Sequence, residues 1–347
     1  MKLIDAIKAT YYLARLRSYN HGKQHAKELP GGVLDPQVKL MQGFYKLGGS
    51  AIPLAQKTPA QARADHIMSM VMYRKFSGPV AKVPNVWNGT IPGPSRDIPV
   101  RFYMPEGEGP FPVFVFYHGG GWVVGNLDAN DNIARTISYY GNVSVISVDY
   151  RLAPEHPFPE GFDECYAAYL WAADPENVKQ IRGDINRLVL GGDSAGGNLT
   201  AAVSLKASQE AGPKIAQQVL IYPAADLTNV ETESFKTHGN MPILTAEDMN
   251  WYIEQYAPTQ ELKSNPLISP ALATDLSNLP PALIMTAEFD VLSDDGHTYA
   301  QQLQEAGVDV HLIEAKGLPH GFVSLRELIK RAHHYTVLML QILNKRI

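Results

Sequence analysis

A single cysteine, Cys165, stands in a chain of 347 residues, so no internal disulfide is available and the fold must hold without a covalent staple. That usage fits a reducing compartment, and a cytoplasmic location with Cys165 as a core thiol is the expectation. Charge of either sign is sparse: charged residues make up 19% of the chain and the net balance is −5. No basic field exists to collect phosphate backbones, which argues against nucleic acid as a partner. Long apolar runs are missing too. No window approaches the roughly 18 consecutive apolar residues of a membrane span, so none is expected. In the opening MKLIDAIKATYYLARLRSYN, the charges of Asp5, Lys8, Arg15 and Arg17 interrupt the stretch that a signal peptide would keep apolar. Internal repeats and low-complexity tracts are also absent.

Hydrophobic residues, at 45%, are plentiful enough for a large core in one domain with an addition. Short β-rich runs alternate with helical patterns. PVFVFY (112–117), VSVISVDY (143–150), RLVLGG (187–192), QQVLIYP (217–223), PALIMTAE (281–288) and VDVHLIEA (308–315) read as strands, mostly continuous apolar runs suited to burial on both faces. FDECYAAYLWAA (162–173), NLTAAVSLKASQEAG (198–212) and HTYAQQLQEAG (297–307) have helical spacing, the last two closing on a glycine. This alternation predicts an α/β fold with a mainly parallel sheet. VPNVWNG (83–89) and DIPVRFYMP (97–105) read as a hairpin leading into it.

Two regions break the alternation. Residues 1 to about 75 are helical in pattern, with Ile4, Ile7 and Tyr11 on one face and a break at LPGG (29–32). Residues 225–275, between two predicted strands, hold Met241, Leu244, Met249, Trp251, Tyr252 and Tyr256. An insertion of that length is usually functional. The division expected is an N-terminal part of a helical cap over 1–75 and a catalytic domain over 76–347, with 225–275 completing the cap; simple covering of core surface is the alternative.

VLGGDSAGGN (189–198) places one serine between two glycine pairs directly after an apolar run. A strand, a sharp turn and a helix in succession raise a hydroxyl at the turn, and the small neighbours avoid collision between strand and helix. The following helix directs unpaired N–H groups at any negative charge formed there. Ser194 is therefore the candidate nucleophile.

A nucleophilic serine needs a base, and the base an orienting acid. His320, in GLPHGF, sits in a turn just after a predicted strand and is the best-placed base. His311 lies mid-strand, His297 opens a helix on the solvent side, and His238 falls in the insertion. In AEFDVLSDDG, Asp290 lies just past a strand end and is assigned as the acid, with Asp294 as runner-up; Asp294 and Asp295 precede a helix and suit capping. The glycines of YHGGGWVVG (117–125) let backbone N–H groups face a ligand, so Gly119 and Gly120, with the Ala195 N–H, are the expected oxyanion donors. A phosphate loop would need a G-K-[S/T] ending, which is missing. His118 reads as an anchor of that loop.

HGGGW (118–122), DYRLAPEHPFP (149–159), GDSAGG (192–197), the Asp290 segment and HGF (320–322), in this order, resemble the hormone-sensitive-lipase-like family of α/β-hydrolases, the GDSAG-bearing carboxylesterases. The resemblance covers roughly residues 80–330. It implies an eight-stranded, mostly parallel sheet with a helical cap, and hydrolysis of short- to medium-chain carboxylic esters. It also implies the triad Ser194, Asp290 and His320 with Gly119, Gly120 and Ala195 as donors. Ser293 departs from the pattern, since such proteins often carry arginine after D-x-L.

DYRLAPEHPFP reads as scaffold, with Asp149, Arg151 and Glu155 satisfying buried groups or pairing with one another. His21 and His25 lack a third partner for a metal, and His333 and His334 are expected to face solvent. The partner expected is a small-molecule ester, with no cofactor and no metal. A homodimer is left open, as are cleavage of amides or peptides by the same triad and a non-catalytic receptor for small ligands.

Overall fold

The computed structural model describes residues 31–47, 53–76, 80–241 and 243–347. The stripe of Ile4, Ile7 and Tyr11 and the His21/His25 pair lie outside the described residues.

Eight strands form one sheet: β1 (Asn85–Pro92), β2 (Asp97–Met104), β3 (Phe111–Tyr117), β4 (Ser144–Val148), β5 (Gly183–Asp193), β6 (Gln217–Ile221), β7 (Ala282–Phe289) and β8 (Val310–Pro319). Their order is β1-β2-β4-β3-β5-β6-β7-β8. The β1–β2 and β2–β4 pairings are antiparallel and every pairing from β4 through β8 is parallel. The α/β expectation and the leading hairpin are both met. Strand limits shift where polar residues masked the pattern. β5 starts at Gly183, because Phe111 and Pro112 pair with Gly183 and Asp184 before a register shift carries the pairing to Leu188.

The principal helices are α1 (Pro36–Leu47), α2 (Pro59–Phe76), α3 (Leu127–Gly141), α4 (Glu160–Ala172), α5 (Ala195–Gln209), α6 (Glu233–His238), α7 (Ala246–Tyr256), α8 (Ser293–Glu305) and α9 (Lys330–Arg346). Period-two alternation sorts the sheet's side chains to two faces. Val113, Val115 and Tyr117 of β3 pack with Phe162 of α4 and Leu199 of α5, while Phe114 and Phe116 pack with Ile133 of α3 and Leu340 of α9. All seven residues of β3 are buried, as a central strand covered on both faces requires. Burial of each such large apolar side chain contributes roughly 2–3 kcal/mol. Cys165 is a free, buried thiol on α4.

Helix ends depart from the sequence expectation in instructive ways. After α5 the left-handed position is Ala211, with φ 49°, while Gly212 closes the turn by donating its N–H to Ala207 O at 2.8 Å. Asp294 and Asp295 do not cap α8: they lie inside its first turn, and the residue before the helix, Leu292, makes no side-chain cap. Their carboxylates reach across the molecule instead. Asp295 Oδ2 accepts from the N–H groups of Ala225 and Asp226, and Asp294 Oδ2 from that of Ser234. Both thus tie the start of the 225–275 segment to α8. Nor do Asp149, Arg151 and Glu155 pair with one another. Arg151 bonds Glu160 and the buried Glu164, and Glu155 bonds Arg63 of α2.

The parallel strands end at a common edge. Tyr117 is in register with Gly192, Asp193 with Ile221, and Phe289 with Pro319. The residues that follow β3, β5, β7 and β8 therefore emerge side by side, in the position where open parallel sheets hold their ligands.

Candidate active site

Ser194 sits at the turn between β5 and α5 with φ 56° and ψ −118°, a conformation a non-glycine residue adopts only when its surroundings enforce it. The enforcement is visible. The Ser194 N–H donates to Ile221 O at 2.8 Å on the neighbouring strand. A methyl group at Gly196 would come within 1.9 Å of Tyr117 O, and one at Gly192 within 2.3 Å of Gly196 O. Strand and helix pass too closely there for any side chain, which answers why glycines flank the serine.

His320 follows β8 directly and is buried. Its Nδ1 lies 2.6 Å from Asp290 Oδ2 and its Nε2 lies 2.9 Å from Ser194 Oγ. A carboxylate only accepts, so Nδ1 carries the proton and donates to Asp290; Nε2 is then bare, and the serine hydroxyl donates to it. Asp290 is fully buried, and its second oxygen accepts the Leu292 N–H at 2.9 Å. The Ser293 N–H donates to Asp290 O at 3.1 Å, so the acid loop closes with serine at the position where the resembled family often carries arginine. The Tyr222 ring packs against the imidazole, with centroids 4.6 Å apart. Of the other histidines, His311 is exposed on β8, His297 bonds Ser293 O within α8, His238 packs against Phe289, and His333 and His334 are exposed on α9. Asp294, the alternative acid, is engaged with Ser234.

The loop after β3 corrects one expectation. The Gly119 N–H donates to Asp193 Oδ1 at 2.8 Å and is not free to meet an oxyanion. The N–H groups of Gly120, Gly121 and Ala195 meet no acceptor among the described residues, and all three residues line the cavity above Ser194. Gly120 has φ 125°, and a Cβ there would lie 2.1 Å from Val124 O; the turn that aims these amides exists only with glycine in place. Gly121, the third glycine of HGGGW, went unassigned from sequence. The glycine run signalled a donor loop, but which two of its amides are free depends on a carboxylate 74 residues away. His118 acts as the expected anchor: its Nδ1–H donates to Gly119 O at 2.8 Å, its ring stacks on Tyr150, and burial pushes its pKa down to about 4. Burial likewise raises the Asp193 carboxyl to about 6, against the opposing pull of the Gly119 N–H.

A cavity of about 260 Å³ opens above Ser194. Its floor is formed by the turns just described. Over it stand His66, Ser69 and Met70 of α2 and, from the 225–275 segment, Leu244, Met249 and Tyr252. Arg63 fastens α2 to the loops after β3 and β4: Nε donates to Val123 O, Nη2 to Ala153 O and Nη1 to Glu155 Oε1, at 2.8–2.9 Å.

The sequence pattern described as the alpha/beta hydrolase fold matches residues 114–324. The chain is 40% identical over 306 residues to the carboxylic ester hydrolase LipN of Mycobacterium tuberculosis, covering 86% of this chain and 80% of that one. It is 35% identical to the ethyl acetate hydrolase of Pseudomonas putida, over 72% of this chain and 78% of the relative. Among solved structures, the hyperthermophilic esterase of the archaeon Pyrobaculum calidifontis superposes with a TM-score of 0.84 at 34% identity, over 90% of this chain and 98% of the other.

Proposed function

The chain belongs to the alpha/beta hydrolase family, in its hormone-sensitive-lipase-like branch, and is a carboxylic ester hydrolase; from that premise we propose that Ser194, His320 and Asp290 form its catalytic triad and that it cleaves short- to medium-chain esters. The observation that carries the reading is the hydrogen-bonded line from Asp290 through His320 to Ser194 beneath a cavity.

The reaction is a two-step acyl transfer. His320 Nε2 takes the proton of Ser194 Oγ as the oxygen attacks the ester carbonyl. The carbonyl oxygen becomes an oxyanion, met by the N–H groups of Gly120, Gly121 and Ala195, with Gly119 holding the loop through Asp193. Asp290 keeps the imidazole in the productive tautomer and stabilises its cation. His320 then protonates the departing alkoxide, the tetrahedral intermediate collapses to an acyl-serine, and water repeats the sequence to release the acid. Of the N-terminal 75 residues, α2 acts with the 225–275 segment as the cap over the catalytic domain of 76–347. The cavity's size favours modest acyl chains. The test is a series of p-nitrophenyl esters of increasing acyl length, set beside a matched anilide. Hydrolysis falling away beyond medium chain lengths, with the anilide far slower, is expected; a rate that keeps rising with chain length, or an anilide cleaved as fast as the ester, contradicts the proposal.

A further inference from the structure

The cavity lining is of two kinds. Leu244, Met249 and Tyr252 of the 225–275 segment supply a largely apolar part. His66 and Ser69, one turn apart on α2, line the cavity as well, with Asn130 of α3. Neither the His66 ring nor the Ser69 hydroxyl has a hydrogen-bond partner among the described residues, and the Asn130 carboxamide uses only its Nδ2, which donates to Asn126 O. Burial, and secondarily the nearby His118, holds the His66 pKa down to about 4, so the ring is neutral, with one donor and one acceptor nitrogen. A part-buried imidazole serving only to pack would be expected to satisfy its polar atoms within the fold. Here they are left for whatever enters the cavity. Among the described residues no lysine or arginine lines the space, and the Asp193 carboxylate is taken up by Gly119, so this part of the lining has hydrogen-bonding capacity without a charge to match an ionic ligand.

We propose that His66, with Ser69 and Asn130, forms a polar subsite selecting esters that carry a second, uncharged oxygen function (hydroxyl, carbonyl or ether) over plain alkyl esters of the same shape. The proposal rests on the serine-esterase reading and names its substrate class. A site built to hydrogen-bond a substrate group rejects the analogue lacking it, because its own polar atoms are then desolvated without a partner.

Two isosteric pairs test it, one for each side of the scissile bond: ethyl β-hydroxybutyrate against ethyl isovalerate, and hydroxyethyl butyrate against propyl butyrate. In at least one pair the oxygenated ester should lead by about tenfold in kcat/KM, mainly through KM. In His66→Leu that ratio should collapse toward unity, while His66→Gln, which keeps a donor and an acceptor, should restore part of it. Ratios taken on one preparation do not depend on how much of a variant folds. Parental ratios near unity in both pairs, or a ratio unchanged in His66→Leu, would overturn the subsite and leave the triad standing. Failure of the parent to hydrolyse any of the four esters would remove the triad reading, and the subsite with it.

Discussion

On the floor of the cavity the Ser194 hydroxyl, both His320 nitrogens and both Asp290 oxygens are committed to partners at 2.6–2.9 Å, and the Ser194 backbone is pinned to a neighbouring strand. In the roof, His66 and Ser69 face the same space with no hydrogen-bond partner among the described residues. The floor is built to hold a few atoms within tenths of an ångström, as proton transfer and oxyanion stabilisation demand. The roof presents hydrogen-bonding capacity and apolar surface whose partners arrive with the substrate. On the proposed reading, chemistry is preorganised in one region and selection held ready in the other.

Changes in the floor should act on turnover, and changes in the roof on binding. The largest effect is expected at Asp290→Asn: an amide can offer its N–H to His320 Nδ1, which favours the wrong tautomer, and kcat should fall by about 10⁴ with KM little changed. Stopped-flow or steady-state kinetics on a p-nitrophenyl ester measures this, and a loss confined to KM would break the division between floor and roof.

A second effect concerns stability. Burial raises the Asp193 carboxyl to about 6, above an unfolded value near 4. Between those values the folded protein holds the proton more tightly than the unfolded chain, so this group's contribution to stability declines as pH rises from about 4 through about 6. Asp193→Asn does not titrate. Its stability relative to the parent should therefore improve by about 2–3 kcal/mol between pH 4 and pH 7, read from urea midpoints at each pH; a difference independent of pH would contradict it. The smallest effect is expected in the roof. Arg63→Ala removes the hydrogen bonds fastening α2 over the cavity and should raise KM by roughly three- to tenfold with kcat within about twofold. An equal loss in kcat would show that α2 also shapes the floor.

The same division governs what the sequence discloses. The serine turn was legible because its cause is local: a strand and a helix meeting at GDSAGG leave no room for side chains beside Ser194. Asp290 and His320 were legible because each lies at the end of a recognisable strand. Gly119 was mistaken for an oxyanion donor because its amide is claimed by Asp193, and Asp294 and Asp295 were mistaken for caps because they serve backbone groups 60–70 residues away. No periodicity or motif encodes such long-range pairings. His66 left no trace for the same reason. It is one residue on one face of a helix, and its significance comes from what α2 is folded against.

Reaction of the protein with a fluorophosphonate, followed by location of the adduct by peptide mass spectrometry, shows which residue is the nucleophile. A single adduct on Ser194, formed in parallel with loss of ester hydrolysis and absent from Ser194→Ala, is the predicted result. An adduct on another residue, or undiminished hydrolysis by Ser194→Ala, would contradict it.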